Sequence, residues 1–399
     1  MALARRNKAL FIDKEAIFAL LLCKEGLLYP VVSLMNQQEM QEVDKSGIYN
    51  KQSFPFSFIL APSGKRNLEV MKNAKKGEIL SLVCDSQVCG ELVVDSSFPI
   101  NKKERLFKIM NGDIYSQKAN DIYNRLGDYA ICGDYTLELD SSLYANRASK
   151  EKILEKKSIL DAKKITSIVI EAAPITRIHE RIFRSILEES DLLILLLSKP
   201  HKEEFLEFDL RKQCLEFVVS NFLPKERILI FCLEDIYLFA GAHGLILDAI
   251  LAQNLSCTHL VVGENHPNLS IYYDNQKIHS IYDTIKDIDI KIKLLNEFVF
   301  CNECKTIVSV RTCPHGKHHH ITYSTKFLKQ LLSFGLMPPT VLVRKEVSAK
   351  ILSRLYPKRF DGFLDEYASM FASDGILKRY SDEDFYIKLM NLYQTYSLY

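Results

Sequence analysis

Ile165-Thr-Ser-Ile-Val-Ile-Glu-Ala-Ala-Pro174-Ile-Thr176-Arg-Ile-His179-Glu-Arg-Ile-Phe183 is the stretch on which the fold turns. Its first six residues are rich in Ile, and its last seven place apolar side chains at helical spacing, so it reads as strand, turn and helix in direct succession. Thr176 and His179 are three apart, which lets both point from the helix N-terminus toward one site. Unpaired N–H groups and the positive end of the helix dipole suit a phosphate there. An imidazole at that place can donate to charge developing on a transferring phosphoryl group. The same pair also suits a plain helix cap with an internally satisfied histidine.

Outward from this unit the pattern repeats. Ile165 to Glu171, Leu192 to Leu197, Arg227 to Cys232 and Thr258 to Gly263 are Ile, Leu and Val runs, apolar enough to be buried on both faces. His179 to Glu189, Glu207 to Phe222 and Ala242 to Leu255 are the longer amphipathic runs between them. Alternation of this kind predicts an α/β fold, a Rossmann-like parallel sheet in an αβα domain with its ligand at the carboxyl ends of the strands. Residues 1–145 instead show short runs broken by polar turns, such as Glu78-Ile-Leu-Ser-Leu-Val-Cys84, and predict a mostly β domain with a few helices. Ala148 to Lys164 reads as a connecting helix. Residues 146–322 then form the α/β domain, and residues 323–399 a helical C-terminal region with helices at Ser324 to Ser333 and Arg344 to Tyr356, separated by Met337-Pro-Pro.

Composition narrows the function. Lys and Arg total 52 against 50 Asp and Glu in 399 residues, so no strong field draws nucleic acid or an acidic membrane. The longest early apolar run, Ile17 to Cys23, is far short of the roughly 20 residues that cross a bilayer. Asp13, Lys14 and Glu15 interrupt any export signal. Ten cysteines without such a signal predict a reducing cytoplasm, where thiols stay free or bind metal. Pro62-Ser-Gly-Lys65 lacks the spacing of a P-loop, and no G-x-G-x-x-G follows a strand.

Seven cysteines are scattered among apolar neighbours, whereas Cys301, Cys304 and Cys313 cluster. Cys301-Asn-Glu-Cys304 is a C-x-x-C knuckle, and Cys313 and His315 follow within eleven residues of it. Thiolate and imidazole are the ligands of structural tetrahedral zinc, and four protein ligands leave no open position. His315, His318, His319 and His320 compete for the last place, with His315 the first choice and His319 or His320 the next. A pair of redox-active or buried cysteines beside a solvated histidine run is the other reading.

Pro174-Ile-Thr-Arg-Ile-His179 resembles the T/H-x-G-H motif with which nucleotidyltransferases bind and polarise a nucleotide triphosphate. Phe239-Ala-Gly-Ala-His243, Cys257-Thr-His-Leu-Val-Val-Gly-Glu-Asn-His266, the zinc loop and the Ser324-Thr-Lys segment are similar, in order and spacing, to motifs of the ATP sulfurylase family, especially its bacterial zinc-containing type. The resemblance runs from about residue 120 to 350. It implies a PUA-like N-terminal domain and transfer of adenylyl from ATP, with magnesium, to sulfate, giving adenosine phosphosulfate and pyrophosphate. It implies Thr176 and His179 as the catalytic pair. Nucleotide contacts fall at Pro174, Ile175, Gly241, His243, Val262, Gly263, Ser324, Thr325 and Lys326. Anion contacts fall at Arg177, Asn265 and His266, and zinc ligands at Cys301, Cys304, Cys313 and His315. The expected partners are ATP and an oxyanion, with self-association open.

Several positions depart from the family pattern, among them the first motif histidine, which is Thr176 here, a substitution the superfamily tolerates. Gln-x-Arg-Asn-Pro is Ile170-Glu-Ala-Ala-Pro174 here, Gly-Arg-Asp is Gly263-Glu-Asn265, and the arginine after Thr-Lys is Leu328. The losses fall on acceptor and phosphate contacts. Arg177, Arg181, His201 and Lys202 are the cations left to replace them. A nucleotidyltransferase with another acceptor and a catalytically silent nucleotide-binding protein are therefore the alternative readings.

Overall fold

The computed structural model describes residues 8–111, 114–138, 145–200, 205–264, 266, 269, 272–274, 277–285, 287–321, 324–363 and 381–394. The fold is α/β. It divides into two compact units, residues 1–169 with 231–295, and residues 170–230 with 296–399.

In the first unit a five-stranded sheet has the order Lys8–Phe11, Ile79–Cys84, Gln87–Pro99, Leu126–Leu137, Leu60–Pro62. The central strands fall where the short apolar runs predict them. Lys8–Phe11 is not legible in that pattern, because a four-residue edge strand gives too few alternations to count; it runs parallel to Ile79–Cys84 with Leu10 opposite Leu82. The apolar run Ile17 to Cys23 lies in helix Lys14–Lys24, capped by Asp13, whose Oδ1 accepts the Ala16 N–H at 2.8 Å. Six of that run's seven residues are buried, as in a core helix. Among the described residues no helix is long and apolar enough to cross a membrane.

The same unit holds parallel strands. Ile165–Ile170, His259–Gly263 and Lys291–Leu295 lie side by side, with His259 opposite both Thr166 and Lys291. Thr258 pins the start of this ladder: its Oγ1 donates to the Ile165 carbonyl and accepts the Ile165 N–H, both at 3.0 Å. Helix Gly244–Asn254 buries eight of its eleven residues, as its apolar surround requires. Lys291–Leu295 is a further strand that sequence pattern does not single out, since Lys-Ile-Lys-Leu-Leu is only partly buried.

In the second unit the strand Leu192–Pro200 begins with six Leu and Ile side chains at 0% exposure, each contributing about 2 kcal/mol of burial. Helices Arg177–Leu187 and Phe208–Phe222 fall within two residues of their expected positions. Thr325–Ser333 and Lys345–Leu355 do the same, and Asp382–Gln394 follows. A three-stranded antiparallel ribbon, Thr306–Ser309, Phe298–Cys301, His320–Ile321 in that order, carries the cysteine cluster.

Candidate active site and metal centre

The turn before helix Arg177–Leu187 is shaped by backbone and packing. Ala172 is left-handed at φ +50°, a conformation that costs a non-glycine residue roughly 1 kcal/mol. It is held there by burial, with Ala172 and Ala173 at 1% and 2% exposure. The Glu171 carbonyl accepts Nη1 of Arg211 at 2.6 Å, and Arg211 also reaches the Ser198 carbonyl. Pro174 and Ile175 are buried, so their side chains support the turn.

Thr176 is then the N-cap, and His179 occupies the third helical position. The Thr176 N–H donates to His179 Nδ1 at 3.1 Å, and Thr176 Oγ1 lies 2.7 Å from the same nitrogen. A ring nitrogen that accepts a backbone N–H carries no proton itself. The neutral imidazole is therefore protonated at Nε2, and Nε2–H is a donor. Desolvation pushes the His179 pKa down to about 4, against a smaller opposing effect of Glu180. The ring is neutral at pH 7.

The next two residues hold the helix. Arg177 donates its N–H to the Leu342 carbonyl at 2.7 Å and its Nε to the Thr340 carbonyl at 2.8 Å. Its guanidinium, predicted as an anion contact, is thus tied to a neighbouring loop by at least one donor. Buried Glu180 accepts Nε and Nη2 of Arg344 at 2.6 and 2.7 Å. The Arg344 guanidinium sits 3.4 Å from the centre of the Phe222 ring. This ion pair escapes sequence reading, because its partners are 164 residues apart.

Of the Ser324-Thr-Lys segment, Ser324 caps helix Thr325–Ser333 by accepting the Phe327 N–H at 3.1 Å. Glu171, Phe205, Thr325, Lys326 and Lys329 line a shared groove of about 430 Å³, which joins the turn to this helix start. Leu328, where the family has arginine, is buried at 3% on the inner face of the helix.

The remaining nucleotide candidates lie in the first unit. Gly241 is left-handed at φ +65°, and a Cβ there would come within 2.8 Å of the Met110 carbonyl oxygen, so only glycine fits. His243 Nδ1 lies 2.7 Å from the Lys108 carbonyl oxygen, so it carries the proton there and Nε2 is the acceptor, the opposite tautomer to His179. Burial pushes its pKa down. Val262 is buried, Gly263 ends its strand in open space, and His266 is exposed beyond it. Asn265, His201 and Lys202 lie outside the described residues.

The four candidate metal ligands converge. Cys301 ends one strand and pairs with Thr306 across a tight turn in which Lys305 is left-handed at φ +53°. The Cys304 N–H donates to Cys301 Sγ at 3.4 Å. His315 Nδ1 lies 3.4, 3.2 and 3.7 Å from the sulfurs of Cys301, Cys304 and Cys313, and Cys304 and Cys313 Sγ are 3.9 Å apart. A tetrahedral ion with bonds of about 2.3 Å to sulfur and 2.0 Å to nitrogen needs edges of about 3.8 and 3.5 Å. All four ligand atoms lie within 4.8 Å of one another, so the set fits a metal ion. Its competitors are placed otherwise: His319 faces Glu303 at 3.3 Å, and His318 stacks on His319.

The parallel sheet and the capped strand–turn–helix define an α/β protein. Residues 145–354 match the ATP-sulfurylase family model, more than half of the chain, and the chain belongs to that family. It is 32% identical over 186 residues to a sulfate adenylyltransferase of Carboxydothermus hydrogenoformans, covering 46% of this chain and 49% of that protein. With the sulfate adenylyltransferase of Chloroflexus aurantiacus it shares 26% over 356 residues, 87% of this chain and 91% of that one. Among solved structures, a hexameric APS kinase from Thiobacillus denitrificans has the same fold over 89% of this chain and 64% of its own, with TM-score 0.65 and 16% identity.

Proposed function

We propose that the protein transfers the adenylyl group of ATP to an oxyanion, with sulfate the first candidate acceptor. The carrying observation is the neutral imidazole of His179, whose Nδ1 is taken by the Thr176 amide. Its Nε2–H is left to donate to an oxygen of the α-phosphoryl group as charge builds there. The helix N-terminus adds favourable potential. The acceptor oxygen attacks the α-phosphorus in line, one P–O bond forms, the bond to the β-phosphate oxygen breaks, and pyrophosphate leaves with its magnesium. Pro174, Ile175, Gly241, His243, Val262, Gly263, Ser324, Thr325 and Lys326 are assigned to the nucleotide on the family resemblance, and Arg177, Asn265 and His266 to the anion. The reading keeps a PUA-like segment up to residue 145, a cytoplasmic setting and self-association.

The Cys301, Cys304, Cys313 and His315 set is assigned to zinc. Three thiolates and one imidazole complete its coordination, so the ion supports structure and takes no part in transfer.

One observation favours a second acceptor class. Ala172 and Ala173 stand where the family carries polar groups, Glu171 lines the groove beside Lys326, and Arg177 Nε is engaged with Thr340. An acceptor that presents less negative charge to the turn, an uncharged group or the hydroxyl of a phosphorylated alcohol whose phosphate lies elsewhere, is the second reading.

The test is pyrophosphate release from ATP with sulfate, molybdate and a phosphorylated alcohol in turn. Release with sulfate or molybdate supports the first acceptor, release only with the alcohol supports the second, and no release with measurable ATP binding removes both. His179→Asn should lower turnover about 10²- to 10³-fold, as loss of one preorganised donor does. The His179 pKa of about 4 sets the pH dependence. Protonation at Nδ1 breaks its bond to Thr176, so the rate stays level from pH 8 to about 5 and falls below. Because the folded pKa lies under the unfolded value, stability from this ring is full above about pH 6.5 and is lost as pH falls toward 4. A rate inflection near pH 6.5 counts against the assignment.

A further inference from the structure

The first unit contains a cavity of about 270 Å³ that the proposed chemistry does not use. Two guanidinium groups, Arg105 and Arg125, stand in its wall with Tyr237 and Asp13. Arg105 is 4% exposed. Its Nη1 and Nη2 donate to Ser57 Oγ and the Ser57 carbonyl at 2.8 and 2.6 Å, and Asp44 lies 3.7 Å away. Its Nε–H is buried without an acceptor among the described residues. A buried charged donor left in that state is destabilising, and native structures seldom tolerate it without a ligand or water nearby.

Arg125 is organised differently. Its Nε and Nη2 bind both oxygens of Asp13 at 2.9 and 2.6 Å, while Nη1 makes no hydrogen bond among the described residues. The guanidinium lies 4.1 Å from the centre of the Tyr237 ring. Tyr237 is 7% exposed, and its hydroxyl likewise makes no hydrogen bond among the described residues. Ile12, Ile59, Leu60 and Leu126 supply the apolar part of the wall. The lining thus offers two cations, one anion and three unused donors beside hydrocarbon.

We propose that this cavity binds a small monocarboxylate with a short apolar body. Its carboxylate takes Nη1–H of Arg125 and the hydroxyl of Tyr237 in the field of buried Arg105, and its carbon chain lies against Ile59 and Leu60. Asp13, Asp44 beside Arg105 and Glu15 on the Tyr237 N–H offset the two guanidiniums, so a monoanion is held by its hydrogen bonds and not by surplus charge, and a dianion such as sulfate or hydrogen phosphate is repelled. Burial keeps the Tyr237 hydroxyl protonated, and so a donor. The cavity and all its lining residues belong to the first unit, Thr176 and His179 belong to the second, and this inference does not depend on the transfer reaction.

The full chain is titrated with butanoate by calorimetry, alongside butan-1-ol, sulfate and phosphate. One saturating butanoate site per chain is expected, with no heat from butan-1-ol. Tyr237→Phe removes one hydrogen bond to a charged group and should weaken butanoate about tenfold. Arg105→Lys keeps the charge and should weaken it less than Arg105→Gln. Tyr237→Phe changes no packing volume, so it decides the matter if an Arg105 variant fails to fold. Absence of butanoate binding, equal affinity in Tyr237→Phe, or stronger binding of sulfate or phosphate at a Tyr237-dependent site each overturns the proposal. ATP binding and pyrophosphate release should be unchanged in Tyr237→Phe, which keeps this outcome separate from failure of the transfer reading.

Discussion

His179 and His315 present the same ring atom to opposite ends. His315 Nδ1 faces three sulfurs at 3.2–3.7 Å, and its role is fixed by what surrounds it. His179 Nδ1 faces its own helix cap, and its role passes to the other nitrogen. The first ring is placed to serve as a ligand because the chain brings thiols to it. The second is a donor because the chain denies it any use of Nδ1. An imidazole therefore says little by its presence in a sequence; the partner of one nitrogen decides what the other can do.

The largest expected effect breaks the His315 side of this comparison. Cys304→Ser should reduce bound zinc from one per chain to near none by elemental analysis, with loss of exchange protection across the ribbon from Phe298 to Ile321. Structural zinc in small peptides is worth about 10 kcal/mol or more, enough to unfold a ribbon this small. Unchanged metal content would remove the cluster from its assigned role.

A middle effect concerns what holds the His179 side. Arg344→Met leaves the Glu180 carboxylate buried without its partner and should lower unfolding free energy by about 3 kcal/mol in urea titrations. Adding Glu180→Gln should recover much of that loss. Equal loss in single and double variants would mean that the stack on Phe222, not the ion pair, carries the stability.

The smallest effect sharpens the contrast. Thr176→Val keeps the backbone N–H that fixes the His179 tautomer but removes the capping oxygen, so stability should fall by about 1 kcal/mol. Turnover should fall far less than in His179→Asn. If the two variants lose turnover equally, the Thr176 hydroxyl itself touches the reacting phosphate.

How legible each region is follows from the range of its interactions. The candidate metal cluster can be read from fifteen consecutive residues, Cys301 to His315, because one knuckle and the nearby Cys313-Pro-His315 supply all four candidate ligands. Strand Ile165–Ile170 and helix Gly244–Asn254 are equally plain, since continuous apolar runs record burial directly. Thr176 and His179 are visible only as a spacing, and the tautomer that gives the spacing chemical meaning requires coordinates. Arg344 and Glu180 leave no local trace at all. Lys291–Leu295 pairs in parallel with His259–Gly263 although two of its five residues are lysines, so tertiary pairing overrides pattern.

The two alanines of the turn bear on the history open to this protein. A basic or amide side chain at Ala172 would have to enter a position 1% exposed and adopt a left-handed backbone, and one at Ala173 a position 2% exposed. Either change would strand a polar group among packed neighbours before it could meet an anion. Recovery of the family's usual acceptor contacts is thus not one substitution away. It needs the turn and its supports at Arg211 to be rebuilt together, so packing holds the turn in its present form.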